Sequence, residues 1–152
     1  MLKLADQEMK KRILALVPQQ KPFRFIDEII ELSEEHVIGS YTFREDEFFY
    51  KGHFPGNPVT PGVILVETMA QIGLVPLGLY LDILSNTSSP GTIFFADCQA
   101  DFLQMVRPGQ KVIVRSKMEF YRRKKLRART TLELESCEIA VQGIISGIGV
   151  SK

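Results

Sequence analysis

The segment from Val63 to Leu81 decides most of what this chain can become. It is apolar on nearly every face, and carries Glu67, Gln71 and Pro76 among its apolar residues. An ionisable residue near the start of a lone membrane span is costly, so no membrane span is expected. A helix that is apolar all round must be wrapped by other structure. The helix is expected to open at Pro61 and Gly62 and to run to about Tyr80.

The wrapping is legible on both sides of that helix. Val112, Val114, Met118 and Phe120 alternate with Lys111, Arg115, Lys117 and Glu119. Leu126, Ala128, Thr130, Leu132 and Leu134 alternate with Arg127, Arg129, Thr131, Glu133 and Glu135. Period two is the mark of strands with one face on a core and one in water. These two form a hairpin turning around Arg122 to Lys125. Ile139 to Val150 reads as a last strand, where Gly143, Gly147 and Gly149 are expected to allow a bend or bulge. Upstream, Phe23 to Leu32 reads as a strand and Val37 to Phe43 as its antiparallel partner. Thr92 to Phe95 and Ala100 to Val106 read as short strands, the second leading into a turn at Arg107 to Gln110.

Leu2, Ala5, Met9, Ile13 and Leu16 recur at helical steps, and Pro18 stops that helix. Asp82 to Gly91 is a polar connection. The fold class is α+β: one antiparallel sheet with one apolar face, curled around one long helix. Residues 1–152 form a single domain with 1–18 as its N-terminal helix, large enough to bury a core without metal or disulfide staples.

Formal net charge is +1, from 19 basic and 18 acidic residues, too balanced for nucleic-acid binding by bulk electrostatics. The dense basic cluster is Arg122, Arg123, Lys124, Lys125, Arg127 and Arg129. It reads as a solvated hairpin end or as a dock for an acidic carrier protein or a nucleotide-containing thiol. Cys98 and Cys137 have no ligand spacing and are expected to pack as small hydrophobes. The N-terminus has no secretory pattern, so a cytoplasmic chain is expected.

Residues capable of chemistry are few. Of two histidines, His36 follows Glu34 and Glu35 and reads as a surface residue. His53 lies in a stretch from Gly52 to Pro61 that holds Pro55, Gly56, Pro58 and Pro61, a loop of one shape. Its ring is either satisfied by backbone there or free to act as a general base. Glu67 stands among Val63, Ile64, Leu65, Val66, Met69, Ala70 and Ile72. Glutamate is seldom buried without a partner. Facing a low-dielectric cavity, its pKa would rise and make it a proton donor. Otherwise it is a helix-start carboxylate held by the dipole, or by Arg24 or Arg107. Gln71, one turn on, shares its face and can hydrogen-bond to it. Unpaired N–H groups at Gly62 and Val63 can hold negative charge on a carbonyl oxygen. Base, acid and oxyanion donor together suit proton abstraction alpha to a carbonyl.

The run from His53 through Phe54, Pro55, Gly56, Asn57, Pro58, Val59, Thr60, Pro61 and Gly62 to Glu67 and Gln71 resembles the active-site segment of (3R)-hydroxyacyl-acyl-carrier-protein dehydratases, most closely the FabZ type. The resemblance extends over Pro22 to Asp27, Phe43 to Gln71 and about Phe94 to Val150. It implies a hotdog fold, a lyase of fatty-acid or specialised acyl-chain biosynthesis, and dimers or trimers of dimers with sheets joined edge to edge. His53 of one subunit would then face Glu67 of the other. His53 would take the C2 proton, Glu67 would protonate the departing 3-hydroxyl, and the Gly62 N–H would hold the thioester oxygen. Phe54, Pro61, Met69, Gln71, Ile72 and Phe94 would line the pocket, with chain length set by Met69, Ile72, Leu74 and Phe94. No metal or nicotinamide is implied, and the acyl group rides on the phosphopantetheine of an acyl carrier protein or on coenzyme A. Gln99 and Asp101 stand where the family usually has basic residues associated with the carrier. A hotdog thioesterase or coenzyme A ester hydratase, and a non-catalytic acyl-binding subunit, are the competing readings.

Overall fold

The computed structural model describes residues 2–86 and 92–150, so positions 87–91 of the expected polar connection lie outside the described residues. Helix α1 (Gln7–Leu16) starts at Asp6, whose carboxylate accepts from the Met9 N–H at 2.8 Å, the ordinary N-cap bond. Strands β1 (Glu28–Leu32) and β2 (His36–Thr42) pair antiparallel, as expected. The five residues before Glu28 are not strand, although Phe25 and Ile26 are buried there. Their apolar character reflects burial in the core, where Phe25 meets Phe43 tilted and Phe49 edge-on.

The long helix is two segments, α2 (Gly62–Gly73) and α3 (Val75–Leu84), and it ends later than expected. Pro76 accounts for the break, since it has no N–H to offer the Ile72 carbonyl. Bonds from Leu74 N–H to Ala70 O and from Gly78 N–H to Leu74 O, both 2.9 Å, carry the helix across the junction. The helix is long and apolar enough to span a membrane by composition, and 78% of its most apolar window is buried within the protein.

Strand β3 (Thr92–Phe102) is one strand where two were expected. A register shift between Phe95 and Asp97 interrupts its regular alternation without ending the strand. Strands β4 (Lys111–Arg122), β5 (Lys125–Leu134) and β6 (Ile139–Val150) follow as expected. Arg123 and Lys124 make the β4–β5 turn at positive φ, a geometry suited to a two-residue hairpin. The described strands form one antiparallel sheet in the order β1-β2-β4-β5-β6-β3. Its apolar face, including Val112, Val114, Leu126, Leu132, Val141 and Ile145, packs with Met69, Ile72, Leu74 and Leu77 of the helix. This is the expected hotdog arrangement.

One expectation holds at the glycines and one fails at the cysteines. The β3–β6 register shift at Phe95/Asp97 falls opposite Gly147 and Ser146, whereas the β5–β6 shift at Leu132/Glu133 lies away from the β6 glycines. Gly143 permits close approach of β3: a Cβ there would sit 2.1 Å from the Gln99 carbonyl oxygen. Cys98 and Cys137 are both free and exposed. Cys98 is on the edge strand with no neighbour beyond it, and Cys137 occupies the β5–β6 turn at φ 73°. His36 is half-buried, its ring bonded to Ser33 Oγ at 2.8 Å and Glu31 Oε1 at 2.6 Å.

Candidate functional site

The loop from Gly52 to Pro61 closes on His53. The His53 N–H donates to Phe49 O at 3.1 Å, and the Val59 N–H donates to His53 O at 2.9 Å. The His53 ring nitrogen Nδ1 lies 2.8 Å from the Val59 carbonyl oxygen. A carbonyl only accepts, so Nδ1 carries the proton and the neutral ring keeps Nε2 as an acceptor. Nε2 has no partner among the described residues. The ring is thus satisfied by backbone at Nδ1, as one reading expects, while Nε2 is left open. A buried bond between Tyr50 OH and Thr60 Oγ1 (2.7 Å) and one from the Thr60 N–H to Val106 O (2.8 Å) anchor the loop. Phe54 stacks on the imidazole with centroids 4.0 Å apart and is half exposed, so it covers the ring and does not line a cavity with Glu67.

Glu67 is half-buried on α2. Neither Arg24 nor Arg107 pairs with it: Arg24 donates to the carbonyls of Leu14, Val17 and Gln19, and Arg107 to Asn57 Oδ1. Its partner is Gln71, whose Nε2 donates to Glu67 Oε1 at 2.8 Å. Gln71 is itself held, since its Oε1 accepts from the Phe25 N–H at 2.7 Å and its Nε2 also reaches Phe23 O at 3.0 Å. The amide is thus oriented by backbone and can only offer N–H to the carboxylate. Burial pushes the Glu67 carboxyl pKa above the ordinary value, and the Gln71 bond opposes that shift.

Replacing Gln71 by Leu strands the Phe25 N–H and the Phe23 carbonyl in a buried setting. The expected cost is about 1–3 kcal/mol of unfolding free energy, measured by urea denaturation. Equal stability of the two proteins would show that these bonds do not hold the segment.

Two cavities meet at Glu67. One, of about 650 Å³, is lined by Val63, Val66, Glu67 and β3 residues Phe95 to Cys98, Ala100 and Phe102. The other, of about 260 Å³, runs between Glu67, Ala70, Leu74 and Val75 of the helix and Phe23, Gln19 and Thr92 to Phe95. At the head of α2, Pro61 is a buried N-cap without a side-chain bond, and the N–H groups of Gly62 and Val63 have no acceptor among the described residues. The Phe102 ring lies against Gly62, where a Cβ would stand 3.0 Å from it.

The expected pocket is corrected in part. Met69 and Ile72 are fully buried in the core and line neither cavity, because their side of the helix faces the sheet. Leu74 and Phe94 do line the smaller cavity, and Val63 the larger. Pro61 and Gln71 support the site without lining it. His53 lines neither cavity, so one chain alone does not bring it into the space at Glu67. Phe23, Phe95, Cys98 and Phe102 were missed as lining residues. Reading β3 as one strand puts Cys98, Ala100 and Phe102 at two-residue steps on a single face.

Gln99 and Asp101 lie on the outer sheet face in a polar groove with Arg129, Thr131 and Gln142. In the basic cluster, Lys125 bonds Asp97, and Arg127 and Arg129 pair with Glu119. Arg122 rests on the Phe120 ring at 4.8 Å, and Arg123 and Lys124 have no acidic partner among the described residues. No cluster of three metal-ligating side chains occurs among the described residues.

A FabA-like domain model matches residues 17–142. The 3-hydroxyacyl-[acyl-carrier-protein] dehydratase FabZ of Syntrophobacter fumaroxidans is 30% identical over 141 residues, covering 93% of this chain and 94% of that protein. The bifunctional enzyme LpxC/FabZ of Porphyromonas gingivalis is 38% identical over 107 residues, 70% of this chain but only 22% of that longer protein. Among solved structures, the dehydratase heterocomplex ApeI:P from Xenorhabdus doucetiae superposes with a TM-score of 0.77 at 13% identity, over 92% of this chain and 91% of that one, a likeness of fold alone. With the family model covering most of the chain and a FabZ relative aligned along nearly its whole length, the chain belongs to the FabA-like domain family.

Proposed function

We propose that this chain dehydrates a (3R)-hydroxyacyl thioester to a trans-2-enoyl thioester and water, within acyl-chain biosynthesis. The observation that carries the reading is the complementary preparation of His53 and Glu67. One presents a base nitrogen whose tautomer is fixed by Val59, and the other a carboxyl that burial keeps protonated to higher pH. His53 Nε2 takes the C2 proton, and the electron pair moves toward the thioester oxygen, where the free N–H groups of Gly62 and Val63 stabilise it. As the bond to the 3-hydroxyl breaks, the Glu67 proton leaves with it as water and the double bond forms. His53 then returns its proton through solvent to Glu67.

Assembly completes the site in this proposal. Val63 (78% exposed), Phe94, Phe95 and Phe102 form an apolar strip beside the unpaired outer edge of β3, an arrangement that a lone soluble sheet avoids. A second copy seated there, edge to edge, covers the strip and delivers its His53 to this chain's Glu67. The acyl group arrives on the phosphopantetheine of an acyl carrier protein. Arg122, Arg123 and Lys124, with Lys125 behind them, offer an acidic carrier a docking surface, whereas Asp101 would repel it on the outer face of β3.

The test is incubation of the purified chain with 3-hydroxyacyl thioesters on carrier protein and on coenzyme A, following enoyl absorbance. Enoyl product is expected, faster from the carrier. Release of free thiol without enoyl product would replace this reading with a thioesterase.

A further inference from the structure

The smaller cavity at Glu67 has a definite far end. Its helix wall passes from Glu67 through Ala70 to Leu74 and Val75, and its strand wall from Phe95 back to Thr92. Glu67 and Phe95 also line the larger cavity, so both walls start where the two cavities meet. The far end therefore lies at Val75 on the helix and at Thr92 and Ile93 on the strand. Two glycines show what closes it. A Cβ on Gly78, one turn beyond Val75 in α3, would stand 2.5 Å from Ile93 Cδ1. A Cβ on Gly147 in β6 would stand 2.5 Å from Ile93 Cγ2 and 3.4 Å from Leu74 Cδ1. Carbon atoms pack at about 3.5–4.0 Å, so Ile93 fills space that exists only because both neighbours lack a side chain. It is half-buried and packed on the core.

We infer that Ile93 is the stop for the acyl tail, so that this chain prefers 3-hydroxyacyl thioesters of medium length and rejects long ones. The thioester end belongs to the larger cavity, which is lined by Val63 at the head of α2, where the free N–H groups lie. The tail then leaves Glu67 through the smaller cavity, along Phe23, Leu74, Phe94 and Phe95, toward Ile93. From Glu67 to Val75 the helix rises about 12 Å. An extended chain advances about 1.2 Å per bond, so on the order of ten bonds bring the tail to the stop. The inference rests on the acyl-thioester reading of this site.

The test follows enoyl formation from 3-hydroxyacyl pantetheine thioesters whose tails grow one methylene at a time to well past that length. In the unaltered chain, kcat/KM is expected to rise about fourfold with each methylene buried, until the tail meets Ile93. Beyond that length it should fall, since a packed wall yields little to an oversized group. Ile93→Ala removes Cγ1, Cγ2 and Cδ1, and is expected to carry the rise about two or three methylenes further. Ile93→Val removes Cδ1 alone and should carry it by about one; it serves if the alanine chain does not fold by circular dichroism. A limit that fails to lengthen in the variants, or the absence of any limit in the unaltered chain, overturns the inference. Saturated acyl pantetheine thioesters, which cannot eliminate water, separate the two ideas by calorimetry. A limit in Kd that lengthens in the variants, without any enoyl product from the unaltered chain, upholds the stop and sinks the dehydratase. Enoyl product with binding indifferent to tail length and to Ile93 does the reverse.

Discussion

Glu67→Gln is expected to lower dehydration of a 3-hydroxyacyl thioester by about 10²–10⁴-fold, and at the same time to make the fold more stable at neutral pH. The first effect follows from removing the only proton that the proposed site can give to the leaving hydroxyl. The second follows from the direction of the Glu67 shift. Burial raises its folded-state pKa above the unfolded value. Its contribution to stability is then fully present below the unfolded carboxylate range, and is lost as pH rises through the folded value. Above the unfolded carboxylate range the side chain is a burden, because the folded chain must either take up a proton there or hold a carboxylate stripped of part of its hydration. Glutamine keeps the shape, never ionises, and still offers its oxygen to Gln71 Nε2 in place of the bond now 2.8 Å long. Denaturant midpoints should favour the variant at neutral pH, and the difference should shrink below a pH of about 4. A variant that is both inactive and less stable at neutral pH would mean that Glu67 has a structural partner this account lacks. Stability sacrificed at one residue that chemistry needs is the usual trade at active sites.

What the sequence disclosed and what it hid divide along physical lines. The β4–β5 hairpin and β6 emerged with the expected bounds or within a residue or two, since each alternates apolar and polar residues over many positions. Strand β3 reads as two because Asp97, Gln99 and Asp101 are polar, while on its other face Cys98 is small and exposed and Ala100 small and only half covered. Periodicity weakens wherever a face is neither core nor solvent, and an edge awaiting a partner is such a face. The chemistry was legible for a different reason. A carboxylate amid aliphatic residues and a histidine amid prolines and glycines are anomalies whatever the fold. Which residues wall the cavity was not legible, because Met69 and Phe95 are alike in composition and differ only in which side of the sheet–helix sandwich they face. Ile93 gave no signal of its role in the sequence. It became visible only once its side chain was found at the cavity end, in space that Gly78 and Gly147 leave empty.

Mixing two inactive chains should restore activity. His53→Ala removes the proposed base, and Glu67→Gln removes the proposed acid; each alone is expected to lose at least about a hundredfold in rate. Within one chain, His53 and Glu67 do not share a cavity. If a site takes His53 from one chain and Glu67 from its twofold mate, the mixed dimer contains one site with neither residue and one site with both. An equal mixture, allowed to exchange subunits, then contains half mixed dimers with one working site in two, so it should recover about a quarter of the unaltered rate. If the two residues of a site came from the same chain, every site in the mixture would lack one of them and no activity would return. The exchange must be real for the result to count, so the chains carry different tags, and the mixed species isolated by sequential capture should show about half of the unaltered rate. Recovery should also depend on the apolar strip. Val63→Asp, on the face that a second copy would cover, is expected to leave a folded chain that neither dimerises nor complements, read by sedimentation and by the same enoyl absorbance. A monomeric Val63→Asp chain with undiminished turnover would instead mean that one subunit closes its own site by moving the His53 loop.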